Sequence, residues 1–302
     1  MSRRSESSRD RTFLVIALTL LIASAMPAAS AVVSETLYIR SGQLSTVDGR
    51  TLPALCYTST ATGSISPMGP ALTLTAGDVL SLTVHNQDDA AHGFEIVGVG
   101  GGNTSVSPWN TQTFEFEFPE PGTWLYRDPV GYPLNAGLGL AGAVEVLDPA
   151  SEYDDEFLWL LSEHSEDWMT AHERGDPVDT SVYRPNYFTI NGASGGDIGL
   201  DPRAHLVGHV GDRLLIRVVN GGLQLHSLHF HGYHVQVIAR NGIDLAAPIE
   251  KDTIAIPTGQ TAEFVLEPHQ PGVFPVHDHV VLSVTANGVY PMGMIVFTEI
   301  QP

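Results

Sequence analysis

The chain predicts an all-β protein made of two tandem copies of one β-domain, and three observations carry that. Short runs alternate apolar and polar residues, as in Ala71-Leu-Thr-Leu-Thr75, Leu80-Ser-Leu-Thr-Val84 and Thr113-Phe-Glu-Phe-Glu-Phe118. That period of two belongs to half-buried strands. Gly and Pro, 30 and 20 of the 302 residues, punctuate these runs, and helical periods are scarce. The third observation is an internal repeat. Gly77-Asp-Val-Leu-Ser-Leu-Thr-Val-His-Asn86 matches Gly211-Asp-Arg-Leu-Leu-Ile-Arg-Val-Val-Asn220 without a gap, and Pro121-Gly-Thr-Trp-Leu-Tyr-Arg-Asp-Pro129 matches Pro271-Gly-Val-Phe-Pro-Val-His-Asp-His279. Leu140-Ala-Gly-Ala-Val144 recurs as Met292-Gly-Met-Ile-Val296 at a slightly larger spacing. Three blocks in one order make duplication the economical explanation.

Before the repeat stands a leader. Arg3, Arg4, Arg9 and Arg11 precede an apolar run from Thr12 to Met26, then Pro27 and the small-residue site Ala29-Ser-Ala31. This is the pattern of a secretory signal and is short for a membrane span. The expected organisation is a signal peptide at 1–31, an N-terminal domain at 32–149 and a C-terminal domain at 150–302, with a secreted or periplasmic location. Glu156-Phe-Leu-Trp-Leu-Leu-Ser162 reads as a strand of the second domain. The polar stretch from Glu163 to Tyr183 reads as a long loop or a short surface helix.

The formal charge is −20, from 34 acidic and 14 basic side chains, and Lys251 is the only lysine. Such a surface cannot neutralise phosphates, so nucleic acid is excluded as a partner. After the leader no segment is apolar enough to span a bilayer. Cys56 is the only cysteine. It excludes an intrachain disulfide and every thiolate-rich metal site, leaving imidazole and carboxylate as the ligands available.

Imidazole is concentrated. Six of the 13 histidines lie in His226-Ser-Leu-His-Phe-His-Gly-Tyr-His234 and Val276-His-Asp-His279. Alternate residues of a strand share a face, so His229 with His231, and His277 with His279, project in pairs while Asp278 points the other way. If the two strands are neighbours, four imidazoles converge. Neutral imidazole is the commonest protein ligand for zinc, copper and iron. His226, just before its strand, is a further candidate ligand on the side of Asp278. The rival is a patch of hydrogen-bonded histidines with no metal.

His-x-x-His-x-His-Gly followed by a late His-x-His resembles the last cupredoxin domain of multicopper oxidases. Asn186-Tyr-Phe-Thr-Ile-Asn-Gly192 before it and Gly293-Met294 after it fit the same family. The resemblance implies two tandem cupredoxin-like Greek-key β-sandwich domains. It also implies that His229, His231, His277 and His279 are ligands of type 2 and type 3 copper. His226 falls on a type 1 copper ligand and Met294 on its axial ligand. The family places a Cys between the late histidines, and here that residue is Asp278, with Asp128 in the same slot of the first domain. A carboxylate cannot supply the soft copper–thiolate bond of a blue centre, so no type 1 copper is expected. The first domain has Glu95 and Val97 where the second has His229 and His231. Only four of the family's eight cluster positions are filled, enough for one copper ion or two. Asp278 would then ligate a metal with His226 or hydrogen-bond it, and Met294 would pack the core.

His85-Asn-Gln-Asp-Asp-Ala-Ala-His92 is similar to the His-Asn-x-Asp-x-His motif of two-domain copper nitrite reductases, with two extra residues. That likeness implies a homotrimer with copper between subunits and an acid–base role for Asp88. The candidate catalytic groups are therefore Asp88 and Asp278. The functional expectation is a secreted copper-binding oxidoreductase with a type 2-like site. It would be served by a small-molecule or metal-ion reductant and by dioxygen. The alternatives are a copper-binding or structural cupredoxin without turnover and, less favoured, a zinc site.

Overall fold

The computed structural model describes residues 30–102 and 104–302. The expected leader falls, but for its last two residues, outside them. The first half carries β1 (Val32–Ser45), β2 (Thr51–Thr58), β3 (Leu72–Thr75), β4 (Val79–Asn86), β5 (His92–Ile96), β6 (Thr104–Val106), β7 (Thr111–Glu117), β8 (Gly122–Arg127), the short helix α1 (Leu134–Leu138) and β9 (Ala141–Leu147). The second half carries β10 (Asp155–His164), α2 (Glu166–Glu173), β11 (Tyr187–Ile190), β12 (Leu206–His209), β13 (Leu214–Asn220), β14 (His226–Phe230), β15 (Val235–Arg240), β16 (Ile243–Lys251), β17 (Thr253–Ile256), β18 (Thr261–Leu266), β19 (Gly272–Asp278) and β20 (Ile295–Gln301).

Each half is a two-sheet sandwich, and the duplication read from the sequence is a duplication of topology. One sheet of the first half runs β3-β9-β8-β5-β6, and its counterpart runs β12-β20-β19-β14-β17. The facing sheets share the order β1-β4-β7 and β10-β13-β18, flanked by β2 in one and by β11 and the β15–β16 hairpin in the other. The protein is all-β, two tandem cupredoxin-like sandwiches. Alternation decides which residues go inside: in β4, Leu80, Leu82 and Val84 are buried while Ser81 and Thr83 are not. Leu37, Phe94, Phe116 and Tyr126 centre the first core, and Trp159, Phe230, Phe264 and Val276 the second. The third repeated block needs a correction. Asp128 N bonds to Leu140 O and Asp278 N to Met294 O, so Leu140 corresponds to Met294 rather than to Met292. The loop before that strand is longer in the second half.

The stretch after β10 is partly helical, as one of the two expectations had it, but α2 is not simply a surface helix. Ser165 caps it, with its hydroxyl accepting from Trp168 N, and it buries Trp168 and Met169.

The halves meet over a small apolar cluster, Met68, Leu125, Ala143, Leu158, Leu160 and Val219. Around it lies a buried ionic latch. Arg217, on β13, donates to Glu263 Oε1 (2.7 Å) and Glu156 Oε2 (2.8 Å), and also to Thr123 Oγ1 (3.1 Å) of the first half. Thr261 Oγ1 donates to the Thr123 carbonyl at 2.7 Å. Removing one member of such a buried network strands the rest in a low-dielectric interior. Arg217→Ala is therefore expected to cost about 3–5 kcal/mol of stability, read as an earlier denaturant midpoint; an unchanged midpoint would show that the latch contributes nothing.

Candidate metal centre

β14 and β19 are antiparallel neighbours with His229 opposite His277 and Leu228 opposite Asp278. Strand alternation therefore puts His229, His231, His277 and His279 on one side of the sheet, as the spacing predicts. Ring centroids are 4.7 Å apart for His229–His231, 5.1 Å for His231–His277 and 5.2 Å for His229–His279. The rings are exposed or half-buried, not sealed in the core.

Two nitrogens already stand at ligand spacing. His231 Nε2 and His277 Nε2 are 3.0 Å apart. Two imidazole nitrogens bound at about 2.0–2.1 Å and a right angle to one ion lie about 2.9 Å apart. The second nitrogens are turned to protein acceptors. His277 Nδ1 donates to the Asp278 carbonyl (3.0 Å), and His229 Nδ1 faces the Asp252 carbonyl (3.2 Å) and the Thr253 hydroxyl (2.8 Å). Such bonds fix the tautomer that leaves Nε2 its lone pair. Burial and the neighbouring imidazoles His229, His277 and His279 push the His231 pKa down, which favours the neutral ring that a metal needs. Among the described residues, no three His, Cys, Asp or Glu side chains are already gathered round one point as a metal site. His231 and His277 form a preset pair, with His229 and His279 one ring further out.

The structure corrects the expectation for His226. It is fully buried, with Nδ1 2.6 Å from Asp278 Oδ2 and Nε2 2.9 Å from Glu163 Oε2. Both nitrogens face carboxylates, so no lone pair is left for a metal. Of the two roles foreseen for Asp278, the hydrogen bond is the one observed. Burial alone would drive the imidazolium pKa down, but the bonds to Asp278 and Glu163 outweigh it and raise it to about 9. Asp278 is buried with both oxygens bonded, which corrects its candidacy as a catalytic group open to substrate. Met294 lies in the second core.

Asp88 also meets a histidine, but from a partly exposed position and through one oxygen. Its Oδ2 is 3.0 Å from His92 Nε2, and His92 Nδ1 is 2.8 Å from Asp128 Oδ2. His85 stacks on Tyr38 with centroids 4.8 Å apart and meets Thr111 Oγ1 at 2.7 Å. Asp88 keeps its side chain 21% exposed, and the hydrogen bonds to His92 and Ala90 both fall on Oδ2. Where the second half pairs His229 with His277, the first pairs Glu95 with Arg127, Arg127 Nε donating to Glu95 Oε1 at 2.6 Å.

Sequence reasoning missed Glu163. It lies 63 residues before His226 and enters from β10, and no local spacing announces it. The one signal was the repeat, which sets Gly222 against Asp88 and so shows that His226 lacks the acid His92 has. Thiolate chemistry is absent from the centre: Cys56 sits in β2 within the first core, where burial pushes its pKa up despite the opposing charge of Arg40. The donor set fits an imidazole-held copper and does not fit a blue one. Just after His279 in the chain the exposed residues are apolar, Val281 being 80% and Leu282 53% exposed.

Residues 177–291 match the family model described as multicopper oxidase. "Laccase-2" of Botryotinia fuckeliana is 24% identical over 245 residues, covering 74% of this chain and 41% of that protein. "Copper-containing nitrite reductase" of Neisseria meningitidis is 28% identical over 224 residues, covering 69% and 54%. The chain thus spans about half, or less, of the curated relatives it matches. Among solved structures, a blue copper oxidase from Nitrosomonas europaea superposes with a TM-score of 0.76 at 21% identity, over 90% of this chain and 86% of that one. A copper nitrite reductase from the same organism superposes with a TM-score of 0.70 at 20% identity, over 89% and 94%. These likenesses support the cupredoxin fold read from the motifs.

Proposed function

We propose that this chain, which carries a multicopper-oxidase domain and has copper-containing oxidoreductases as relatives, is an exported copper protein with domains at 32–149 and 150–302 and one type 2-like site made by His229, His231, His277 and His279. The observation that carries this reading is the pair of Nε2 atoms 3.0 Å apart on adjacent strands, flanked by two further imidazoles. Copper bound there supplies one-electron redox chemistry without a blue centre.

The chain's own groups do the rest. The carbonyls of Asp252 and Asp278 orient His229 and His277 with Nε2 outward. Because the rings are partly exposed, a small-molecule or metal-ion reductant reaches them directly, and dioxygen can do the same. Asp128 and Asp278 stand where a thiolate would collect electrons, so no internal relay delivers them. The exposed apolar residues 280–282, which follow His279 in the chain, support the homotrimer implied by the likeness to nitrite reductases. Sizing at several concentrations checks it.

Copper-reconstituted protein should show no intense blue absorption and a type 2 electron paramagnetic resonance spectrum. A strong blue band would sink the argument from Asp278. Oxygen uptake with phenols, Mn(II) or Fe(II) that disappears in His231→Ala supports an oxidase. Copper binding with no uptake favours the second reading, a non-catalytic copper-binding cupredoxin, and zinc in place of copper favours the third.

A further inference from the structure

The two halves hold the same buried arrangement. In the first, Asp128 Oδ1 accepts from Gly93 N (2.8 Å) and Val130 N (2.8 Å), while Oδ2 meets His92 Nδ1. In the second, Asp278 Oδ1 accepts from Ser227 N (2.9 Å) and Val280 N (3.0 Å), while Oδ2 meets His226 Nδ1. Every partner is the repeat equivalent of its counterpart. The preceding loops are held alike: Asn86 Nδ2 donates to Ala90 O and Asn220 Nδ2 to Gln224 O, each at 2.8 Å.

Two members differ: Asn135 Nδ2 donates to Asp128 Oδ2 at 2.7 Å, a bond without a counterpart among those of Asp278, and the second carboxylate differs in origin rather than in role. The far nitrogen of His92 meets Asp88, from the loop itself, and that carboxylate also accepts from Ala90 N. At the matching loop position the second half has Gly222, and Glu163 reaches in from β10. It meets His226 Nε2 and accepts from Leu223 N (2.6 Å) and Gln224 N (2.8 Å). A Cβ on Gly222 would lie 1.9 Å from Glu163 Oε2. The acid and the missing side chain are complementary: each half has one carboxylate in the same place, by two different routes. Burying two carboxylates about an imidazole is costly unless every lone pair is satisfied, and here the backbone amides satisfy them. Chance would not produce this arrangement twice.

The second triad has a further consequence. Asp278 lies between His277 and His279 and faces away from them, so its three bonds hold the peptide that carries both. His279 N also donates to Ser227 O at 2.7 Å. We propose that Glu163, His226 and Asp278 are positioning residues for the histidine cluster, a buried carboxylate–imidazole–carboxylate triad that holds the end of β19 against β14 in place of a metal–thiolate tie. This rests on the reading of the cluster as a copper site. The first triad does the same mechanical work where Glu95 and Arg127 stand in place of His229 and His277.

The test is copper affinity, measured by competition with a chelator on the full chain. Glu163→Gln is expected to weaken copper binding about 10- to 100-fold, the usual range for groups that orient ligands, and to alter the type 2 spectrum. His92→Gln, which disrupts the first triad, should lower the melting temperature but leave affinity and spectrum unchanged. Glu163→Ala combined with Gly222→Asp moves the acid to its first-half position and should restore both. A folded Glu163→Gln with wild-type affinity and spectrum overturns the proposal. So does a Glu163→Ala/Gly222→Asp variant that fails to fold or does not regain affinity. Wild-type protein that takes up no copper defeats the proposed function instead. Positioning is then read from the ring NMR resonances of His277 and His279 in Glu163→Gln, where a shift supports the triad's role and no shift overturns it.

Discussion

His277→Ala is expected to reduce copper affinity by more than about 100-fold, beyond the usual effect of removing a group that only orients a ligand. His277 is half of the preset nitrogen pair, and its own Nδ1 bond to the Asp278 carbonyl commits Nε2 to that pair. His231→Ala should act similarly. The mutation site is half-exposed at the end of a strand, so the melting temperature should barely move. Equilibrium dialysis against Cu(II) measures the loss. His234→Ala is the control, because its side chain is exposed and belongs to no contact with the cluster. Undiminished copper stoichiometry in a His231→Ala/His277→Ala double variant would show that the metal, if bound, sits elsewhere.

The second large effect is on stability and has two limbs. An imidazole whose pKa is raised on folding binds more protons in the folded state than in the unfolded one. The stabilisation from His226 is therefore complete below the unfolded value near 6.5 and is lost as pH rises through about 9. A shift of that size corresponds to on the order of 3 kcal/mol. His92 is shifted in the same direction, burial opposing and Asp128 and Asp88 prevailing. On the acid side, bonds to His226 and His92 outweigh burial and hold Asp278 and Asp88 below the usual carboxylate range. Their contribution is present above about pH 4 and lost as pH falls. Melting temperature against pH should thus peak in mildly acid solution and fall toward pH 9. His226→Gln should flatten the alkaline limb, and an unflattened limb would show that His226 is not the group responsible. Asp278→Ala, which strips the buried His226 Nδ1 and the Ser227 and Val280 amides of their acceptor, is expected to cost about 3–5 kcal/mol at pH 6.

These outcomes separate two kinds of histidine that look alike in one dimension. His226 and His229 are three residues apart in one nine-residue segment. The first belongs to the core and to stability, the second to the partly exposed face that carries the proposed metal site. Alternation along the strand assigned the sides correctly, since His229, His231, His277 and His279 share a face and Asp278 does not. It could not say what His226 would meet on the other side. That partner arrives through the parallel pairing of β10 with β13, which sets Leu161 beside Asn220 and so brings Glu163 to the loop before His226. Asp88 was read as an interface acid because its motif suggested one. In three dimensions its carboxylate is already bound to His92.

The sequence by itself determined the all-β character, the duplication, the carboxylates at 128 and 278 and the four imidazoles that face one way. Strand alternation and repeat spacing are local or self-referential, so one dimension suffices to carry them. Only the tertiary structure decided that His226 is held by two carboxylates rather than by a metal, that the second carboxylate is Glu163, and that His231 and His277 are the closest pair. Those facts depend on which strands become neighbours. A hydrogen bond of 2.9 Å across 63 residues leaves no trace in spacing: its geometry is set by sheet order and by the space left at Gly222.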